Sequence, residues 1–324
     1  MLKVVASGLF ASTMLLGAAS AVQAADIAPP ARDWTGFYIG VGGGGLLMSG
    51  DLKAGGSFEE YYENQDYRLD PIVDGNDVTE VLLEEYLYDV IGGFDQSADI
   101  GKGGIFGTVE LGADYQMDSF VFGIVGNFDL ASLKASNSAA GGFSGTQGYT
   151  QAYDDADGCY GDPDLDGYEC VDIASGGAGA ETEVKMENSW GIGLRGGFLA
   201  TESTLIYGLG GFTQAKFSAE TKGGFGFEET YFSGGADGKA STDEWLNGWF
   251  LGAGMEQLLT DNVSLKLEYR YANYETLEWS DSSSDSFEYD NGVDFRERGS
   301  SSGRIGGEFD PVIHAIRATI AYRF

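Results

Sequence analysis

The feature that most constrains the fold is a repeated pairing of strand-like stretches across very short turns. In eight stretches, apolar residues alternate with polar or small ones, the period-two pattern of a β-strand with one buried face. Six of them form three hairpins, 104–117 with 120–133, 189–201 with 204–217 and 247–259 with 263–274, and the other two are 35–48 and 313–324. The hairpin turns contain two or three residues. The remaining connections are long, polar and acidic, and they cover about 50–103, 134–188, 218–246 and 275–312.

Short turns that alternate with long connections are typical of a barrel in an outer membrane, where the short turns face the periplasm. Each stretch is long enough to cross a bilayer as a tilted strand, which takes roughly 9–11 residues. Pairing of the first strand with the last removes the sheet edges, as lipid requires. We therefore predict an all-β fold, an eight-stranded antiparallel transmembrane β-barrel with short periplasmic turns and four long acidic extracellular loops. The alternative, a soluble β-sandwich, gives no reason for loops that are long on one side only.

The first residues are typical of an export signal. Lys3 supplies a positive charge, residues 4–16 form a mainly apolar region, and a small-residue cleavage motif ends at Ala24. No later stretch approaches the ~18 consecutive apolar residues of a spanning helix. We therefore predict a signal peptide at 1–24, a periplasmic N-terminal linker at 25–33 and an outer-membrane barrel domain at 34–324, located in the cell outer membrane. The alternative for the first segment is an uncleaved transmembrane helix.

The charge balance restricts the partners. Asp and Glu number 51 against 18 Lys and Arg, giving a net charge of −33. Because nucleic acid binding needs a basic surface, nucleic acid is excluded as a partner. A disordered acidic chain would be poor in aromatic residues, whereas 13% of this chain is aromatic. We expect outer-membrane lipid as the first partner.

Strand parity assigns a set of charged side chains to the inside of the barrel. The three-residue turn at 260–262 places Glu256 opposite Lys266, and Gly254 and Gly252 opposite Glu268 and Arg270. The same parity gives an inward set of five acids and six bases: Glu110, Asp114, Asp129, Glu256 and Glu268, with Arg195, Lys216, Lys266, Arg270, Arg317 and Arg323. An eight-stranded barrel is filled by its own side chains, and desolvated charges need partners. We predict an ion-pair network that closes the lumen; the alternatives are a selective ion pathway gated by Arg270 and Glu268, and a leaky lumen of mixed behaviour.

The second long connection contains the two cysteines and an aspartate-rich turn. In an exported chain we expect Cys159 and Cys170 to form a disulfide. Between them, Asp162, Asp164 and Asp166 alternate before Gly167, and Asp172 follows. Carboxylates around a glycine bend suit a hard cation, so this turn is a candidate Ca²⁺ site. The alternative is a solvated acidic loop without metal, and no other cofactor is expected.

One segment of the first long connection is ambiguous. Residues 76–93 begin with Asp77 and Glu80 in capping-box spacing and continue with an apolar face, which favours a short helix. The same residues are rich in Val, Ile and Tyr, which favours an extended hairpin. Both interpretations remain open at this point.

Three stretches carry a resemblance to a known family. "DWTGFYIGVGGG" (33–44), "GWFLGAGMEQLLTDNVSLKLEYRYANYE" (248–275) and "HAIRATIAYRF" (314–324) resemble the small porin-like outer-membrane β-barrel proteins of alphaproteobacteria. The resemblance spans all eight strands, but these loops are longer and more acidic than the family implies. The terminal Phe324 is similar to the signal by which bacterial outer-membrane proteins are recognised by the barrel-assembly machinery, which the resemblance therefore implies as a partner during biogenesis.

These observations favour a structural and surface role in the cell envelope. The alternatives are a small-solute porin and a cation- or ligand-binding, adhesin-like surface protein with a host or surface ligand. An enzyme is not expected. Outer-membrane barrel enzymes use histidine as a base, and the one histidine of the sequence, His314, has lipid-facing parity near the outer interface.

Overall fold

The computed structural model describes residues 33–71, 78–151, 168–228, 233–292 and 295–324, and these residues are almost entirely β-strand. No helix among them is long and apolar enough to cross a membrane. The strands in chain order are β1 (Gly36–Pro71), β2 (Val78–Met117), β3 (Phe120–Ala131), β4 (Leu133–Gln151), β5 (Tyr168–Thr201), β6 (Thr204–Glu228), β7 (Ser233–Leu258), β8 (Val263–Tyr274), β9 (Leu277–Asp290), β10 (Phe295–Phe309) and β11 (Val312–Arg323). The predicted signal peptide and all but the last residue of the linker lie outside the described residues.

Eight of these strands form a closed antiparallel ring, in the order β1, β2, β3, β5, β6, β7, β8 and β11. The ring closes where β11 pairs with β1, from Tyr38 opposite Arg323 to Ser49 opposite Val312. The predicted all-β barrel fold is therefore confirmed, and the described ring contains eight strands. Two of its short turns lie where the sequence predicts them, at 118–119 and 202–203, and the third, at 259–262, begins one residue before the predicted 260–262. In the first, Asp118 has a φ of 53°, a conformation that aspartate tolerates better than most residues.

The predicted long loops are instead mostly strand. The β1–β2 hairpin continues to Pro71 opposite Val78, with one register shift between Asp66 and Tyr67. β4 continues β3 after Ser132 and pairs with β2 and β5, and the β9–β10 hairpin continues β8 and β11 and pairs with β1. The barrel wall thus extends beyond the membrane, because each long hairpin satisfies its backbone hydrogen bonds in the ladder of its neighbours.

This extension settles the ambiguous segment. From Val78 onward it is the first part of β2, paired with β1 from Pro71 to Ser57. The hairpin interpretation is therefore right and the helix interpretation is wrong. The ladder of β1 offers this backbone partners, and tertiary pairing overrides a local helical pattern. Asp77 of the predicted capping box lies outside the described residues.

The outside of the ring carries a continuous apolar belt. Ile105 is 83% exposed and Phe37 is 71% exposed, and both lie on the outward parity of their strands. Aromatic pairs lie at the extracellular edge of this belt, with ring centroids 5.8 Å apart for Trp190 and Phe212 and 5.5 Å apart for Trp249 and Tyr271. An apolar band bordered by aromatic girdles is what a barrel presents to lipid. This face therefore has the surface chemistry that the predicted contact with lipid requires.

Beyond the belt, exposed ion pairs link neighbouring strands of the extension. Lys239 Nζ on β7 lies 2.6 Å from Glu220 Oε2 on β6, and Lys222 contacts the other oxygen of the same carboxylate. Hydrogen bonds from these two ammonium groups lower the pKa of Glu220 from 4.5 to about 2. Exposed pairs of this kind contribute on the order of 0.5 kcal/mol each.

The pH dependence of this contribution is testable with Glu220→Gln. Because the pKa of Glu220 is lower in the folded state, its contribution is complete above pH 4.5 and is lost as the pH falls towards about 2. At neutral pH we expect the variant to unfold at slightly lower urea concentration than the wild type, and this difference should vanish in the acidic range. The exposed Glu244→Gln serves as the control. A difference that persists below pH 2 would contradict the role of these ion pairs.

Candidate functional site in the barrel lumen

The lumen contains the charged residues that parity assigns to it, with one exception. Ten of the eleven predicted side chains are buried inside the ring: Glu110 and Asp114 on β2, Asp129 on β3, Arg195 on β5, Glu256 on β7, Lys266, Glu268 and Arg270 on β8, and Arg317 and Arg323 on β11. They are five acids and five bases. The lumen charge therefore sums to zero inside a strongly acidic protein.

At the periplasmic end, two carboxylates and two guanidinium groups form a closed square. Arg195 Nε donates to Asp114 Oδ1 at 2.7 Å, and its Nη1 donates to Glu256 Oε2 at 2.8 Å. Arg323 donates through Nη2 to Asp114 Oδ2 at 2.8 Å and through Nη1 to Glu256 Oε1 at 3.0 Å. Ser264 Oγ also donates to Glu256 Oε1 at 2.7 Å. Each buried carboxylate here is neutralised by both arginines, so removing one member leaves several groups without a partner.

In the middle of the lumen a lysine lies between a carboxylate and an aromatic ring. Lys266 Nζ donates to Glu110 Oε1 at 2.6 Å and lies 3.8 Å from Glu256 Oε2. It also lies 3.4 Å from the centre of the Tyr38 ring, a cation–π contact. The register places Lys266 opposite Glu256, as the three-residue connection between the hairpin strands predicts.

Towards the extracellular side, the ion pairs become less complete. Arg270 donates through Nε to Glu268 and through Nη1 to Asn127 Oδ1 at 2.6 Å. Arg317 Nη2 donates to Asp129 Oδ2 at 3.1 Å. Arg270 Nη2, Arg317 Nη1, Arg317 Nε and Asp129 Oδ1 are buried atoms without a hydrogen-bond partner.

A small cavity lies beside these groups. Its volume is about 40 Å³, and its lining includes Asp129, Arg270, Arg317, Thr213 and Tyr274. A cavity of this size with polar partners has room for ordered water.

The prediction for Lys216 is wrong. Lys216 lies on the outer side of β6, where its Nζ is 3.2 Å from Asp243 Oδ2 and 3.4 Å from Glu187 Oε2. A regular two-residue turn from Thr201 to Thr204 would have directed it inward. The pairing shifts by one residue between Leu199 and Thr201, so that Arg195 lies opposite Leu209. The residues of β6 that share the parity of Leu209 therefore face inward, and Lys216 faces outward. One extra residue in a β-strand reverses the face of every residue beyond it.

Three aromatic residues that are not among the predicted site residues complete the filling of the lower lumen. Trp34 is fully buried at the periplasmic mouth, where its backbone N–H donates to Gln116 Oε1 at 2.9 Å and its Nε1 donates to the backbone oxygen of Glu202 at 3.3 Å. Tyr207 Oη donates to Glu268 Oε2 at 3.0 Å, and Tyr38 contacts the cations above it. Tyr38 and Tyr207 lie on the inward parity of β1 and β6, and this parity is the signal in the sequence that could have identified them.

Above the charged zone the lumen is closed a second time by apolar side chains. Met48, Leu52, Phe217, Leu277 and Phe309 are fully buried there. A polar layer follows, in which Trp279 Nε1 donates to Thr221 Oγ1 at 2.9 Å and Thr221 Oγ1 lies 3.0 Å from Thr182 Oγ1. The extracellular half of the barrel thus has an ordinary hydrophobic core, which the sequence analysis did not predict.

The remaining predicted sites fall outside this zone. Cys159, Asp162, Asp164 and Asp166 lie outside the described residues, and the side chains of Cys170 and Asp172 are not described, so the disulfide and the Ca²⁺ site stay predictions. Within the described part of the chain, no group of three or more His, Cys, Asp or Glu side chains is arranged to hold a metal ion.

The two strand-end residues singled out in the sequence both lie on the lipid side. His314 Nδ1 is 2.7 Å from Tyr269 Oη, and its ring packs edge-on against Tyr271 at a centroid distance of 5.3 Å. Phe324 is 74% exposed, packs against Tyr322 and donates its backbone N–H to the oxygen of Phe37 at 2.9 Å. His314 is therefore an interfacial residue, as its parity indicates.

Comparison with known proteins gives two curated relatives. The 31 kDa outer-membrane immunogenic proteins of Brucella melitensis and Brucella suis are each 26% identical to this chain over 276 residues, which is 82% of this chain and 83% of theirs. No family model matches the sequence.

Solved structures similar to this chain include two bacterial outer-membrane proteins. OprG of Pseudomonas aeruginosa is 14% identical, with 91% of this chain and 98% of that chain covered at a TM-score of 0.27. The attachment invasion locus protein Ail of Yersinia pestis is 11% identical, with 80% and 98% covered at a TM-score of 0.19. TM-scores this low decide nothing about the fold, which rests on the closed strand register. With that register, the apolar belt and the relatives in Brucella, this chain is an outer-membrane β-barrel protein.

Proposed function

We propose that the barrel is a closed structural and surface element of the outer membrane, which does not conduct solutes through its lumen. The observation that carries this proposal is the mutual pairing of the buried lumen charges, five acids with five bases. A conducting pore keeps its polar lining hydrated. Here the charged side chains bind one another across the lumen, which supports a lumen closed to solutes.

Two further features support closure. Trp34 blocks the periplasmic mouth, and the apolar layer around Met48 and Phe217 blocks the path above the ion pairs. An ion would have to leave its hydration shell to pass that apolar layer, which is energetically costly. The charged zone and the apolar zone therefore act as barriers in series.

We expect the purified, refolded wild-type protein to produce no discrete conductance steps in a planar lipid bilayer. Insertion is checked in parallel by heat-modifiable migration of the same sample on a gel. Arg270→Ala serves as a diagnostic variant, because Arg270 crosses the lumen to Asn127. Discrete openings of the wild type whose size changes in Arg270→Ala would identify a lumenal pathway and overturn the proposal.

The small-solute porin is the second candidate, and the cavity of about 40 Å³ is the observation in its favour. The buried atoms of Asp129 and Arg317 that lack partners beside it are the sites at which water could enter first. The same bilayer measurement decides between the two candidates.

We further propose that the protein is not an enzyme. Among the described residues, the ionisable groups of the lumen are engaged with one another, and His314 faces lipid rather than a cavity.

Outer-membrane lipid is the partner of the apolar belt, and Phe324 serves as the signal for the barrel-assembly machinery. The extended hairpins present acidic surface to the outside, where a host or surface ligand would meet them.

A further inference from the structure

The extracellular extension of the barrel wall is open along one line. β7 pairs with β8 from Gly248 to Leu258, and Asn247 accepts one further backbone hydrogen bond, from Glu275. Among the described strands, the part of β7 before Asn247 pairs with β6 alone. β9 follows β8 in the chain and pairs with β10, but among the described strands it has no partner on its other side. Two strand edges therefore border a gap between β7 and β9, which we call the seam.

The backbone of β9 shows which groups face the seam. Ser282 N–H is 2.9 Å from Asp281 Oδ1, and Ser286 N–H is 2.9 Å from Asp285 Oδ1. These two amides bind side chains and not the backbone of β10. In an antiparallel pair, alternate residues direct their N–H groups to the same side. Ser284, which lies between them, therefore also directs its N–H towards the seam.

A cavity of about 250 Å³ lies between the two edges. Asp237, Gly238 and Lys239 of β7 border it on one side, and Asp281, Ser282 and Ser283 of β9 border it on the other. Phe94 and Ile305 contribute apolar surface to the lining. Below the cavity, the buried side chain of Trp279 on β9 crosses the interior and donates a hydrogen bond to Thr221 of β6.

The charge of the seam indicates which kind of segment binds there. β9 contains five acids, Glu278, Asp281, Asp285, Glu288 and Asp290, and no Lys, Arg or Pro. Natural proteins usually protect an edge strand with Lys, Pro or a bulge. A second copy of β9 would be repelled by like charges, whereas a basic segment would be attracted.

We propose that the seam binds an extended, basic peptide segment of a partner protein, which adds to β9 as a further strand. Its backbone pairs with the outward N–H and C=O groups of β9 and displaces the carboxylates of Asp281 and Asp285. Its lysines or arginines then meet those carboxylates, and one apolar side chain enters the cavity over Phe94 and Ile305. Strand addition of this kind takes its affinity from the main chain and its selectivity from side-chain pockets.

The test uses the full barrel in detergent or nanodiscs and three dye-labelled synthetic peptides, with binding followed by fluorescence polarisation. The first peptide alternates lysine with valine. The second has proline in place of alternate valines, so that it keeps its charge but loses backbone donors. The third has glutamate in place of lysine. We expect the first to bind, the second to bind roughly tenfold or more weakly and the third not to bind.

Two variants test the edge and the cavity separately. Ser284→Pro removes one N–H that faces the seam, and Ser284→Ala is its control. Gly238→Leu fills the cavity, because a Cβ at Gly238 lies 3.5 Å from Ile305 Cγ2 and fits without displacement. Its control is Gly101→Leu, at a position with nothing within 4 Å of an added Cβ. We expect Ser284→Pro and Gly238→Leu each to weaken the lysine–valine peptide about tenfold, and the controls to leave its affinity unchanged.

Each result decides the proposal, provided that the variants keep heat-modifiable migration as evidence of folding. Equal binding of the first two peptides would show attraction to an acidic surface without strand addition, and would overturn the proposal. Absence of binding by the lysine–valine peptide would overturn it as well. Neither result depends on whether the lumen conducts, since the seam lies outside the membrane-spanning ring.

Discussion

Replacement of Glu256 by glutamine is expected to destabilise the barrel by about 3–5 kcal/mol, because it breaks a buried network by removing one charged partner. Glu256 accepts hydrogen bonds from Arg195, Arg323 and Ser264 and lies close to Lys266. Without its negative charge, the lower lumen holds three cations against the remaining carboxylates Asp114 and Glu110. Urea unfolding in lipid vesicles, followed by tryptophan fluorescence, measures the change in free energy of unfolding.

Glu244→Gln is the matched control for this experiment, since Glu244 lies on the same strand and is exposed to solvent. A surface change of this kind is expected to alter stability by less than about 0.5 kcal/mol. If Glu256→Gln were equally mild, water would have to solvate the lumen cations. That result would contradict a closed lumen and favour the porin.

The hairpin that contains Glu256 shows what can be predicted from sequence. Its short connection fixes the register, and parity then fixes the face, so the sequence alone predicts that Lys266 lies opposite Glu256, as the structure shows. The ring of eight strands follows from the same two rules, together with the requirement that lipid tolerates no open edge. These predictions succeed because a short turn and the alternation of faces along a strand leave few alternative registers.

Lys216 shows where the same reasoning fails. A single register shift between Leu199 and Thr201 reverses the face of β6, and nothing in that stretch of sequence distinguishes a bulged hairpin from a regular one. One signal was available in the charge count. Six inward bases against five acids left one base without a partner, and the structure removes Lys216 from the set.

The extracellular half of the structure was missed for a different reason. Residues such as Gly, Ser and Asp dominate the long hairpins, and their period-two contrast is weak, so these segments are typical of loops when considered one at a time. They form strands because each finds a neighbour to pair with, which is a tertiary effect. The apolar layer of Leu52, Phe217 and Phe309 follows from that pairing, since it continues the inward parity of the barrel strands beyond the membrane.

Overfilling the lumen is expected to lower the stability of the barrel by about as much as the replacement of Glu256 by glutamine. Gly252 lies on β7 opposite Arg270, and a Cβ at this position would lie 2.6 Å from the backbone oxygen of Tyr269, 2.9 Å from Leu209 Cδ2 and 3.1 Å from Arg270 Cγ. Because Gly252 has no side chain, the side chain of Arg270 occupies the space beside it. Gly252→Leu must therefore displace Arg270 from Asn127 and Glu268.

We expect Gly252→Leu to lose at least about 3 kcal/mol of stability, which combines overpacking with a broken buried ion pair. The loss is measured by urea unfolding in vesicles and by the fraction of heat-modifiable protein after refolding. Gly208→Leu is the control, since Gly208 faces lipid and an added Cβ lies 3.8 Å from the nearest backbone oxygen. An apolar side chain is favourable on the lipid-facing surface, so this variant should fold normally. If both variants were equally stable, the lumen beside Arg270 would have to be spacious, and ion pairing would not be what fills it.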